Sequence, residues 1–151
     1  MENTELSPEF LAFLKCLNDE TVDYLLIGGY AVNIHGYSRA TTDMDVWIAT
    51  TPENAGKLIR AFDRYGFDVD GMSESIFTEP RSIVRFGEAP MKIEVVTTIG
   101  GVEYTKCRAN AIKVNVSGLT VPVISLADLR LNKAASGRPK DLVDLEHLPE
   151  P

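Results

Sequence analysis

Apolar residues recur at helical spacing in Phe10, Leu11, Phe13, Leu14 and Leu17, directly after Ser7-Pro8, a hydroxyl N-cap with proline at the first helical position. The pattern predicts a first helix that buries one face. Polar residues fill Asn18 to Asp23, and the apolar stretch Tyr24-Leu25-Leu26-Ile27 then stops at Gly28-Gly29, as a buried strand ending in a tight turn does. A short helix is predicted over Ala31 to His35 with Gly36 as its end, followed by a loop over Tyr37 to Thr42. Asp43 to Ala49 alternates acid or aromatic with aliphatic residues, the period of a strand. Thr51-Pro52-Glu53 repeats the cap-then-proline signal before a stripe of Ala55, Leu58, Ile59, Phe62 and Tyr65, and Gly66 is placed to close that helix in the left-handed conformation.

Strands dominate the next stretch: Phe67 to Val69, Ser82 to Phe86, Lys92 to Thr97, Ala111 to Val116 and Leu119 to Ile124. The last two read as a hairpin, because Ser117-Gly118 is a two-residue turn between β-branched runs. Ser125-Leu126-Ala127-Asp128 has the form of a capping box and predicts a helix to about Ser136. Gly137-Arg138-Pro139 breaks the chain before a final short helix over Lys140 to Leu148, with Leu142, Leu145 and Leu148 on one side and Lys140, Asp144 and Glu146 exposed; Asp141 and Asp144 read as members of local salt bridges rather than metal ligands. Helices flanking mixed strands give an α/β or α+β class, built on one sheet in a single domain spanning residues 1–151.

Composition narrows the function. At 151 residues, 44% hydrophobic and 25% charged, the chain is neither disordered nor fibrous. Fifteen Lys and Arg against 22 Asp and Glu give a net charge of −7, which argues against a broad basic platform for nucleic acid. Cys16 and Cys107 form no CxxC, and His35 and His147 are far from both, so zinc or a disulfide framework has little support. Met1 to Phe10 is acidic and lacks a secretory pattern, and no apolar run approaches the roughly 20 residues that span a bilayer, so a cytoplasmic location is expected.

The chemistry concentrates in few residues. On a strand, Asp43 and Asp45 project from one face with Trp47, opposite Met44, Val46 and Ile48. Two acids that close raise each other's pKa unless a cation lies between them, and oxygen ligands without Cys or His favour Mg²⁺ or Mn²⁺. Gly28-Gly29 lets backbone N–H groups approach a phosphate, although no Walker loop and no G-x-G-x-x-G is present. Glu94 is the one carboxylate in Met91-Lys92-Ile93-Glu94-Val95-Val96; it would complete a three-carboxylate cluster if its strand lies beside that of Asp43, or else pair with a Lys or Arg at an exposed position. Arg130, Lys133, Arg138 and Lys140 make the segment from Asp128 to Asp141 the one locally basic stretch.

Leu26-Ile27-Gly28-Gly29-Tyr30-Ala31-Val32 followed by Arg39-Ala40-Thr41-Thr42-Asp43-Met44-Asp45-Val46 resembles the signature of the DNA polymerase β-type nucleotidyltransferases. The nearer resemblance is to the bacterial and archaeal AbiEii-type proteins. Leu131-Asn132-Lys133-Ala134 and Arg138-Pro139-Lys140-Asp141-Leu142-Val143-Asp144-Leu145 are similar to their late N-K and R-x-K-D elements. The resemblance implies metal-dependent transfer of a nucleoside monophosphate from a nucleoside triphosphate to an acceptor hydroxyl, on an RNA 3′ end or a protein. It implies two Mg²⁺ (or Mn²⁺) ions on Asp43, Asp45 and Glu94, and triphosphate contact at Gly28 and Gly29; Arg39, a bidentate fork, and Lys133, a point charge, are the candidates for phosphate binding, with Thr42 a further candidate nucleotide contact. A toxin–antitoxin or phage-defence setting, and a homodimer or cognate partner protein, belong to the same expectation. Glu94 stands where the superfamily usually has aspartate, and its extra methylene moves the carboxylate by over ~1 Å. The alternative is therefore a weak or inactive member that binds nucleotide or a partner, such as an antitoxin. A nucleotide-sugar transferase, which also uses D-x-D, is a third reading, for which this chain is short.

Overall fold

The computed structural model describes residues 6–88 and 92–151. Met91, which opens the Glu94 run, and the first five residues of the acidic start lie outside the described residues. Helix α1 covers Pro8–Asp19 and is capped by the Ser7 hydroxyl, which accepts from the Phe10 amide at 3.2 Å. Strand β1 (Tyr24–Ile27) runs into α2 (Gly28–Ile34), and β2 spans Asp43–Ile48. Helix α3 (Pro52–Tyr65) begins on the Thr51 hydroxyl and ends at Gly66 with φ of 111°, the left-handed close that glycine permits without a Cβ clash. A 3-10 turn at Glu74–Phe77 precedes β3 (Ile83–Phe86) and β4 (Lys92–Val96). Helix α4 (Tyr104–Ala109), the hairpin β5 (Ile112–Val116) and β6 (Leu119–Val123), then α5 (Leu126–Ser136) and α6 (Pro139–His147) complete the chain.

The six strands form one mixed sheet in the order β3-β4-β2-β1-β6-β5. Strand β2 pairs antiparallel with β1 and parallel with β4, which places the two acid-bearing strands side by side. Met44, Val46 and Ile48 are fully buried, so their face belongs to the core. Helices α1 and α3 pack together through Phe13 stacked on Phe62, ring centroids 5.6 Å apart. Buried Asn54 fixes the far end of this layer: its Nδ2 donates to the carbonyls of Asp23 and Ala49, and its Oδ1 accepts from the Asp23 amide. That ties the start of β1 to the end of β2 and holds their register.

Four expectations are corrected. Helix α2 begins at Gly28 rather than Ala31, so both glycines lie in its first turn. Phe67 to Val69 is not a strand; Phe67 packs its ring against Phe62 and Phe86, and burial, not ladder pairing, accounts for its apolar character. Helix α6 departs from its expected face at two positions: Leu142 is 50% exposed and Asp144 is buried together with Asp141, while Leu148 is buried and Lys140 and Glu146 are exposed as expected. The reason is ion pairing, described below, which outweighs the leucine pattern. Helix α4 was not expected, since Cys107 is its one buried residue and no apolar period marks it.

Candidate active site

The register of the sheet writes the site as a row across four strands. Ile27 faces Asp45 on β2, Asp45 faces Glu94 on β4, and Glu94 faces Arg85 on β3. Gly28 follows Ile27 directly, with φ of 69°. A Cβ at Gly28 would overlap the Asp45 carboxylate, and one at Gly29 would overlap the Thr41 hydroxyl and stand 3.3 Å from Arg39 Nη1. The glycines are therefore there for close approach as well as for backbone freedom. Around this row opens a cleft of about 550 Å³. Gly28, Gly29, Arg39, Thr42, Asp43, Asp45, Glu94 and Lys133, each singled out in the sequence, all border it. A second hollow, of about 450 Å³, lies at the other end of β1 by Tyr24 and Arg108, and it contains no comparable set of acids.

Asp45 is the most perturbed acid of the cleft. Burial, then repulsion from Glu94 and Asp43, push its carboxyl up to about 7, and Lys140 and Lys133 only partly offset this. Among the described residues no hydrogen bond or ion pair reaches it. Glu94 is turned toward the edge strand, where Arg85 Nε donates to it at 2.8 Å. The Thr42 hydroxyl donates to Asp43 at 3.3 Å.

The cations are organised by two buried acids, Asp141 and Asp144, which hold salt bridges as expected, although Asp144 was expected on the exposed face. Lys133, itself 5% exposed, reaches Asp141 at 3.2 Å and Asp144 at 3.0 Å. Arg39 donates through Nε and Nη2 to the two oxygens of Asp144, at 2.8 and 3.0 Å, and through Nη1 to the Ala40 carbonyl. Arg138 donates to Asp141 at 2.8 Å. Burial alone would raise both carboxyls, but these hydrogen bonds and charges outweigh it and hold them below the usual range. Lys140 borders the cleft with no ion pair among the described residues. The pairing of Asp144 with Arg39 spans 105 positions of sequence, so no local pattern could have announced it. Arg85 was also missed; its alternation with Phe86 on an edge strand opposite Glu94 was the available signal.

The donor chemistry fits a hard divalent cation. Asp45 is a poorly solvated acid with no partner among the described residues, crowded by like charge, in a cradle that a Cβ at Gly28 would fill. As the side chains stand, no group of three His, Cys, Asp or Glu among the described residues converges to enclose an ion. Asp43 and Asp45 supply the natural pair, and Glu94 is withheld by Arg85.

The mixed six-stranded sheet flanked by helices matches the nucleotidyltransferase fold of solved structures. The chain belongs to the family described as nucleotidyltransferases of unknown function (DUF6036), whose model matches residues 9–148. Among solved structures it is similar to a candidate nucleotidyltransferase of Thermotoga maritima, with a TM-score of 0.60, 19% identity, and 95% of this chain and 94% of that one covered. It is also similar to the lincosamide antibiotic adenylyltransferase LnuA, solved with lincomycin bound, with a TM-score of 0.63, 16% identity, and 96% and 97% covered. Both likenesses concern the fold. A comparison with curated proteins gives no match. No helix among the described residues is long and apolar enough to cross a membrane.

Proposed function

We propose that this protein transfers a nucleoside monophosphate from a nucleoside triphosphate to an acceptor hydroxyl, with Mg²⁺ or Mn²⁺ held by Asp43 and Asp45 and completed by Glu94. The single observation that carries the reading is Asp45: a carboxylate pushed up to about 7, set between Gly28 and two further acids, in a cleft whose other flank is basic. When bound, the metal would neutralise the triphosphate and acidify the acceptor hydroxyl. The chain's own residues would do the positioning. Gly28 and Gly29 offer backbone at close approach, Arg39 and Thr42 border the same mouth, and Lys133 contributes a charge fixed by Asp141 and Asp144. Glu94, once released by Arg85, would accept the acceptor's proton or join the metal.

Pyrophosphate release with Mg²⁺, absent with EDTA and absent in Asp43→Ala, is the expected result. Triphosphate binding without pyrophosphate release from any acceptor mixture would favour the second reading, a nucleotide- or partner-binding protein that does not turn over. That reading rests on Glu94, which carries one methylene more than aspartate and is already occupied by Arg85. An RNA 3′ end and a protein hydroxyl are the acceptors the AbiEii resemblance implies, and the LnuA likeness adds small hydroxylated molecules to the panel. Action within a toxin–antitoxin or phage-defence system belongs to the same proposal; growth arrest on expressing the wild type but not Asp43→Ala supports it.

A further inference from the structure

Asp144 is 1% exposed and serves two cations from two different parts of the chain: Arg39, in the loop before β2, and Lys133, on α5. Both cations border the cleft. Their dependence on Asp144 is unequal. Lys133 keeps a second carboxylate, Asp141, whereas among the described residues the Arg39 guanidinium has no other acid and otherwise reaches the carbonyl of its neighbour Ala40. The bidentate fork fixes the direction of the guanidinium, and its Nη1 lies beside Gly29, 3.3 Å from where a Cβ at that residue would stand. The N–H groups not spent on Asp144 and Ala40 stay available to an anion at the Gly28-Gly29 turn.

We infer that Asp144 is a positioning residue for nucleotide binding: it holds Arg39 beside Gly29 in the orientation that receives the triphosphate. This rests on the proposed nucleotidyl transfer and adds a residue from the far end of the chain to its site. Without the carboxylate, Arg39 would keep its charge but not its direction. An ion pair kept merely for stability would act on folding alone and leave the triphosphate affinity of the folded protein unchanged.

The test is a double-mutant cycle on nucleotide affinity, measured by calorimetry with each of the four nucleoside triphosphates and the corresponding monophosphates in Mg²⁺. Losing one oriented charge-assisted contact predicts about tenfold weaker triphosphate binding in Asp144→Asn, with monophosphate binding changed less than about threefold. Arg39→Ala should show a similar loss, and the double variant should bind no more weakly than Arg39→Ala. Additive losses, an equal loss for mono- and triphosphate, or wild-type affinity in Asp144→Asn would overturn the inference. If Asp144→Asn does not fold, Arg39→Lys carries the test, since it keeps the charge and loses the fork: triphosphate affinity should fall, and wild-type affinity would overturn the inference. A wild-type protein that binds none of the triphosphates would sink the proposed function together with the inference; binding that ignores both substitutions would sink the inference alone.

Discussion

Replacing Asp45 by Asn should make the metal-free protein more stable at neutral pH while removing its response to Mg²⁺. The folded-state value of about 7 lies above the ordinary 3.8, so between those pH values the folded protein holds a proton that the unfolded chain has released. Stability is therefore undiminished below about pH 4 and is lost progressively as the pH rises toward 7. Three units at about 1.4 kcal/mol each set a ceiling near 4 kcal/mol. Asp45 is only partly buried, and solvent screening brings the expected penalty to about 2 kcal/mol at pH 8 and under about 1 kcal/mol at pH 5. Asn keeps the shape without the charge, so urea unfolding in EDTA should show Asp45→Asn ahead of wild type by that margin at pH 8, shrinking at pH 5. Added Mg²⁺ at about ten times its dissociation constant should stabilise wild type by about 1.4 kcal/mol and leave Asp45→Asn unmoved. A variant equal to or less stable than wild type at pH 8, or a gain that does not vary with pH, would refute the reasoning that Asp45 is a strained, cation-seeking acid.

Gly28→Ala sets a Cβ against the Asp45 carboxylate at a positive φ, so it should cost about 1–3 kcal/mol in thermal or urea unfolding and weaken triphosphate binding; a neutral variant would contradict the close approach. Lys133→Ala strips a cation from two buried acids and should destabilise by about 3 kcal/mol, besides lowering triphosphate affinity; an unchanged nucleotide dissociation constant would remove Lys133 from the site. Glu94→Asp should raise metal-dependent turnover, because a shorter side chain on β4 withdraws from Arg85 and lies nearer Asp45; a fall in activity would show that the longer acid is the working one.

What the sequence made legible was local. The hydroxyl-then-proline starts of α1 and α3, the Ser125 cap of α5, the left-handed close at Gly66 and the break at Gly137 each depend on residues within one turn. The Ser117-Gly118 hairpin was readable because both residues take positive φ, 52° and 88°, as a tight hairpin turn requires. Alternation placed Asp43 and Asp45 on one face, and one further inference, that the Glu94 strand lies beside them, was needed to assemble the acids. What stayed hidden was non-local. Asp144 looked like an exposed acid with local partners because Arg39 is 105 positions away, and Leu142 was grouped with Leu148 because leucine spacing does not register that two carboxylates claim part of the buried face. The start of α2 was misplaced because glycine is a poor helix former, while the structure needs glycine there to let Asp45 and Thr41 close in.

The most direct measurement is label transfer. The purified protein is incubated with each of the four α-labelled nucleoside triphosphates, Mg²⁺ or Mn²⁺, and separate pools of cellular RNA, protein and small hydroxylated molecules, beside Asp43→Ala. Label carried to one pool by the wild type, lost with EDTA and lost in Asp43→Ala, is the predicted result, and the labelled pool identifies the acceptor class. Transfer that survives both EDTA and the loss of Asp43, or no transfer to any pool, would contradict a carboxylate-held metal as the centre of this site's chemistry.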